Sequence, residues 1–152
     1  MRERVKAIVA TNAFGMGIDK PNVRLVVHHA MPGSLEAYYQ EAGRAGRNGL
    51  RANCVLLHAF QDRFTHEFLI NNPRPAAPSR RRGGSAEPAQ TDERSDARRR
   101  QADLAKLDIM QRYAYTKACR RGFILRYFGD PSATGHCDGC ASRASARSHR
   151  DL

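Results

Sequence analysis

Residues 73–100, PRPAAPSRRRGGSAEPAQTDERSDARRR, contain no aromatic residue and no aliphatic residue larger than alanine. Such a stretch cannot bury enough apolar surface to offset its conformational entropy, and it reads as a disordered basic linker. It splits a 152-residue chain into two short pieces, each of which must find a core or share one. The whole chain is 41% hydrophobic, enough for one modest domain or two small ones. The clusters Arg80–Arg82 and Arg98–Arg100 suit phosphate contacts, although a solvated linker is the plainer reading.

Before this stretch, short β-rich runs alternate with helical or turn segments. VKAIVAT (5–11), VRLVVHH (23–29) and ANCVLLHAF (52–60) are nearly continuous apolar runs, the pattern of parallel strands covered on both faces. SLEAYYQEAG (34–43) reads as a helix with Ser34 as N-cap and Glu36 in its first turn. QDRFTHEFLINN (61–72) reads as a short helix with Phe64, Phe68 and Leu69 on one face, stopped by Pro73. After the linker, Leu104, Leu107 and Met110 share a helical face, and ACRRGFILRYFGD (118–130) reads as a further helix ending at Gly129. The expected fold class is α/β: a partial parallel sheet with flanking helices, followed by a small, mostly helical subdomain.

Charge narrows the partners. A net charge of +11 and a pI near 10.3 favour a polyanion, nucleic acid above all, or else a solvated basic surface. No run of about 18 apolar residues occurs, so no membrane span is expected. The N-terminal apolar stretch lacks a convincing cleavage site and is read as a buried strand. Four cysteines without a leader suggest a reducing compartment, where a close pair points to a metal before a disulfide.

Two segments carry chemistry. ATNAFGMGIDKPNVR (10–24) follows a strand, the position of ligand loops in open α/β sheets. Its Gly15 and Gly17 allow close backbone approach, Thr11 and Asn12 can hydrogen-bond phosphate or sugar, and Asp19 can accept from a ribose hydroxyl or a neighbouring arginine. YYQEAGRAGRNG (38–49) ends a helix with two arginines three apart among glycines. A guanidinium is planar, always charged and suited to phosphate oxygens.

Together these segments resemble motifs V and VI of superfamily-two helicases, and of the RecQ-type DNA helicases in particular. The resemblance covers residues 5–60 well and resumes more loosely at YAYTKACRRGFILRYFGD and GHCDGC, which resemble that family's zinc-binding subdomain. It implies an enzyme that hydrolyses ATP between two RecA-like lobes and steps 3′→5′ along single-stranded or forked DNA. It implies DNA contacts from Thr11, Asn12, Phe14 and Gly15, and nucleotide contacts from Gly17 and Asp19. Gln40, Arg44 and Arg47 would serve catalysis, with Arg47 as the arginine finger and Glu41 orienting the arginines. Core packing is the expected role of Tyr38 and Tyr39. The domains expected are 1–72, the C-terminal part of the second lobe; 73–100, the linker; 101–142, the zinc-binding-like subdomain; and 143–152, a disordered tail. A cytoplasmic, nucleoid-associated protein is implied.

The sequence has no G-x-x-x-x-G-K-[ST] phosphate loop and no D-E-x-H; Asp92-Glu93 is followed by Arg94-Ser95. ATP and Mg²⁺ are therefore expected to bind only together with the missing first lobe, and the isolated chain is expected to be inactive. For Zn²⁺, Cys137 and Cys140 form a C-x₂-C pair and Cys119 lies in a helix 18 positions before Cys137. The family supplies a helical cysteine and a C-x₂-C-x₂-C triplet, and Thr134 stands where the triplet's first cysteine belongs. The fourth ligand is open between His136, water and His149. Cys54 is expected to be inert core. The alternative reading is a non-enzymatic, basic, zinc-stapled module that binds DNA or a partner lobe.

Overall fold

A computed structural model describes residues 6–11, 20–73, 93–132 and 137. Two strands and four helices follow one another: β1 (Leu25–His28), α1 (Leu35–Ala42), β2 (Asn53–Leu56), α2 (Phe60–Asn71), α3 (Glu93–Tyr115) and α4 (Arg120–Tyr127). β1 and β2 pair in parallel, with Leu25 opposite Asn53 and His28 opposite Leu56. Parallel neighbours need a crossover, and α1 provides it. Ser34 caps α1 as its sequence suggests, its extended backbone letting Oγ accept from the Ala37 N–H at 3.2 Å.

The core lies between α1 and α3. Leu35, Leu107 and Met110 are fully buried, and Met31, Tyr38, Tyr113 and Ala114 complete the cluster. Leu35, Tyr38 and Ala42 recur at helical spacing along α1; Leu107, Met110 and Ala114 do the same on α3. Leu104, placed on that stripe by its spacing, is half-buried. Leu56, Ile70, Phe123 and Ile124 close the edges from β2, α2 and α4. Apolar residues from both sides of the 73–100 stretch thus share one core.

Several side chains tie the elements together. Arg63 on α2 donates to Glu67 (2.6 Å), to Asp108 on α3 (2.7 Å) and to Gln111 on α3. Asp62 Oδ2 accepts from the N–H of Ala59, at the start of α2, and from the N–H of Met31, both at 3.0 Å. Burial opposes ionisation of Asp62, but these two backbone donors and nearby His66 and His58 hold its carboxyl below the ordinary value.

The structure departs from the sequence reading in several places. Residues 6–11 form no strand, and Val9 is fully exposed. The described sheet therefore has two strands, and its outer face, with Leu25, Val27 and Val55, stays open to water instead of being covered. Residues 93–100, taken as linker, form the first turns of α3. A helix already nucleated by packing propagates through good formers such as arginine and alanine without burying them, and Glu93 and Asp96 sit favourably in its first turn. Finally, Cys54 is exposed. Its sulfur lies against the Ala42 carbonyl, to which it donates at 3.5 Å, and desolvation there raises the thiol's pKa.

The face of α2 also differs. Phe64, Phe68 and Leu69 are half or more exposed, so the helix turns other side chains to the core. Ile70 packs inward, and Arg63 reaches across to α3.

Candidate functional site

The arginine segment is held by backbone geometry. α1 ends at Ala42, and the Gly43 N–H donates to Tyr39 O at 2.9 Å. Helical turns continue briefly, Arg44 N–H to Glu41 O (3.2 Å) and Ala45 N–H to Ala42 O (3.0 Å). Gly46 then takes φ +68° and Gly49 φ +78°, values at which an L side chain is strained. The Gly46 N–H donates to Val23 O at 3.0 Å, and beyond Gly49 the Asn53 N–H donates to Arg24 O at 2.9 Å to open β2. Val23 and Arg24 close the first motif, so the ends of the two motifs lie side by side.

Within this loop Arg44 is half-buried and Arg47 exposed; Arg47 Nε donates to Gly43 O at 3.5 Å. Gln40 lies exposed on α1, one turn before Arg44. Thr11 is exposed. Asn12, Phe14, Gly15, Gly17 and Asp19 lie outside the described residues.

Glu41 does not orient the arginines through its carboxylate. Its Oε2 pairs with His28 Nε2 at 2.8 Å, locking α1 to the end of β1. His28 is buried, its ring packs on Tyr38 at 4.9 Å, and its Nδ1 finds no partner. Tyr38 in turn meets Tyr113 of α3 at 5.0 Å. Burial raises the pKa of both tyrosines, and the hydrogen bond between them raises that of Tyr113 further. Tyr38 thus has the expected core role, whereas Tyr39 is half-exposed against Phe128. Sequence reading missed His28, because nothing in a strand's alternation shows which partner its last residue will meet.

The cysteines of the metal motif flank α4 in the chain. Cys119 is its N-cap, not an internal residue of a helix, and is buried; its Sγ accepts from the Gly122 N–H at 3.4 Å. Cys137 is half-buried. Cys140, His136, Thr134 and His149 lie outside the described residues. Among the described residues no three metal-binding side chains gather to hold an ion, and the described cysteines of the motif number only two of its candidate ligands.

α4 returns to α1 at its C-terminal end. The Tyr127 hydroxyl donates to Glu36 Oε1 at 2.7 Å, a contact between residues 91 apart. Burial favours the neutral Glu36, but the Tyr127 hydroxyl, the backbone and Lys106 outweigh it and hold the carboxyl below its ordinary value. Arg99 and Arg100 line an open cleft of about 590 Å³ between α1 and α3, together with Ser34, Lys106, Asp96 and Asp103. No described helix is long and apolar enough to cross a membrane.

Comparison with known proteins places this arrangement. Residues 60–141, more than half of the chain, match the RecQ zinc-binding family. The chain belongs to the RecQ family. Residues 1–49 also match the helicase conserved C-terminal domain. The chain is 41% identical to the ATP-dependent DNA helicase RecQ of Bacillus subtilis over 149 residues, covering 96% of this chain and 22% of that protein. It is 41% identical to the ATP-dependent DNA helicase hus2/rqh1 of Schizosaccharomyces pombe over 136 residues, covering 89% of this chain and 9% of that one. The RecQ of Pasteurella multocida is 37% identical over 91% of this chain and 19% of its own length. The chain therefore spans about a fifth or less of these relatives. The zinc-binding match begins at Phe60, so it takes in α2, which Arg63 joins to α3.

Proposed function

We propose that this chain supplies the second-lobe half of an ATP-hydrolysing site in a 3′→5′ DNA helicase, with a zinc-binding subdomain attached. In this reading residues up to β2 are part of a RecA-like lobe. Arg47 is the finger on the γ-phosphate, Arg44 a second phosphate contact and Gln40 a polar contact at the same site. Gly17 and Asp19 face the nucleotide; Thr11, Asn12, Phe14 and Gly15 face the DNA backbone. The observation that carries the reading is the hydrogen bond from Gly46 N–H to Val23 O, which seats the arginine loop beside the other motif's end. The His28–Glu41 pair braces α1 directly before that loop. A guanidinium so placed would stabilise charge that builds on the transferring phosphoryl group.

This chain does not fit the whole nucleotide. Its sequence holds neither the phosphate loop nor D-E-x-H, and no step through Mg²⁺ follows from its residues. ATP and Mg²⁺ would be held jointly with a first lobe, and single-stranded or forked DNA is the polymer partner. Zn²⁺ fits better. The Cys119 sulfur is buried at a helix start and already accepts an N–H, the orientation a metal thiolate uses. Cys119, Cys137 and Cys140 would hold the ion with His136 as fourth ligand, and the bound ion would cross-link the start of α4 to residues 136–140.

The test supplies the chain with a purified fragment of a RecQ relative that holds the first lobe and the start of the second, and measures DNA-stimulated ATP hydrolysis. Arg47→Ala is expected to cost about 10³-fold or more in rate. Hydrolysis by the reconstituted pair that is indifferent to Arg47→Ala would refute the finger assignment. DNA-stimulated hydrolysis by the chain alone would refute the shared-site reading.

A further inference from the structure

The C-terminal end of α4 carries an aromatic surface that the proposed roles leave unused. Phe128 and Tyr39 are 49% and 51% exposed, yet their ring centroids lie 5.1 Å apart. Tyr127 backs Phe128 edge-on at 5.1 Å, and its hydroxyl is fixed by Glu36. Two helices therefore hold these rings in place while half of each faces water. The two rings are tilted 47° to each other, and a fixed, half-exposed aromatic ring favours a flat apolar partner.

Charge selects the kind of partner. α4, RRGFILRY, has three arginines and no acidic residue. By helical spacing Arg121 shares a face with Phe128, about 10 Å away along the axis at 1.5 Å per residue. The carboxylates at this end are engaged. Glu36 accepts from Tyr127, and Asp130 accepts from the Ser132 N–H (2.8 Å) and hydroxyl (2.6 Å). Among the described residues, two other candidate surfaces lack this combination. Phe60, Phe64 and Phe68 on α2 are more exposed, but they lie among Asp62, Arg63 and Glu67, which are already paired. The cleft at α3 mixes Arg99, Arg100 and Lys106 with Asp96 and Asp103.

We propose that Tyr39 and Phe128 form a stacking platform for an unpaired base of single-stranded nucleic acid, with Arg121 meeting a neighbouring phosphate. This rests on the DNA-binding part of the function proposed above and adds the place where a base is held. Tyr39 directly precedes Gln40, so strand and nucleotide would bear on the same helix.

The chain has no tryptophan, so Phe128→Trp installs a single indole on the platform, which can be excited apart from the tyrosines. Titrating the full chain with an oligodeoxythymidine at low salt is expected to quench it. An abasic oligonucleotide of equal length is expected to leave the signal unchanged, as is oligodeoxythymidine added to Phe64→Trp on α2. Phe128→Leu and Tyr39→Leu are expected to bind the labelled oligodeoxythymidine about 5- to 150-fold more weakly by anisotropy, the range for loss of one stacked base. Circular dichroism checks their fold, and the tryptophan variant carries the test if either fails to fold. Binding that leaves Phe128→Trp unquenched overturns the platform but keeps the DNA-binding reading. Absence of any oligonucleotide binding at low salt overturns both.

Discussion

Replacing Gly46 by alanine probes the junction on which the proposed site depends. Gly46 sits at φ +68°, where an L residue costs about 1–2 kcal/mol. A Cβ there would also lie 2.8 Å from the Leu50 carbonyl oxygen and 3.2 Å from Ala52 Cβ. The first of these is backbone and cannot swing aside, so the loop must shift. Shifting it weakens the Gly46 N–H bond to Val23, worth about 0.5–1.5 kcal/mol. Together these give a loss of about 1.5–3.5 kcal/mol for Gly46→Ala. Gly49 is the internal control, since it has φ +78° but nothing within 4 Å of its would-be Cβ. Gly49→Ala should therefore cost only the conformational part, about 1–2 kcal/mol. Urea unfolding followed by circular dichroism reads the difference. With a slope of about 2 kcal/mol per molar urea, Gly46→Ala should move the midpoint down by about 0.8–1.8 M and Gly49→Ala by only about 0.5–1 M. Equal midpoints for the two variants would refute the claim that the Gly46 junction is closely packed.

Three further outcomes follow. Leu107→Ala empties a fully buried position between α1 and α3 and should cost about 2–5 kcal/mol in the same unfolding assay. Glu36 and Asp62 have folded pKa values below their ordinary 4.5 and 3.8. Each stabilises the fold fully above its ordinary value and loses that contribution as pH falls through the depressed one, so Glu36→Gln should flatten the acid limb of a melting-temperature profile below about pH 4.5. A strong zinc chelator should lower the melting temperature of the native chain; Cys119→Ala should abolish that response, and Cys54→Ser, which changes an exposed thiol outside the proposed ligand set, should retain it.

Much of the local structure was legible because local signals caused it. Ser34 announces α1 by its own hydroxyl, Leu107 and Met110 reveal the inner face of α3 by spacing, and Gly129 ends α4's turn at φ +73°. β1 and β2 were read from unbroken apolar runs, with their ends overextended by a residue or more. The failures share a different cause. VKAIVAT has a strand's composition, but a strand also needs a neighbour to pair with, and composition cannot supply one. Residues 93–100 were judged by their lack of apolar side chains, although extension of a helix depends on the turn already formed. In the site, the glycines and arginines of 43–49 could be singled out by residue type. The pairings His28–Glu41, Asp62–Met31, Arg63–Asp108 and Tyr127–Glu36 could not, since each joins elements whose meeting is decided by the packed core.

The shared core sets a timetable for the chain as it is made. Leu35 and Tyr38 have their cover in Leu107, Met110 and Tyr113. At about 5–20 residues per second, the ribosome adds the roughly 70 residues between these partners in about 4–14 s. For that interval the apolar face of α1 has been synthesised while the helix that shields it has not. A nascent chain is thus open to chaperones, or to pairing with its neighbours on a polysome, from one end of its core until the other emerges.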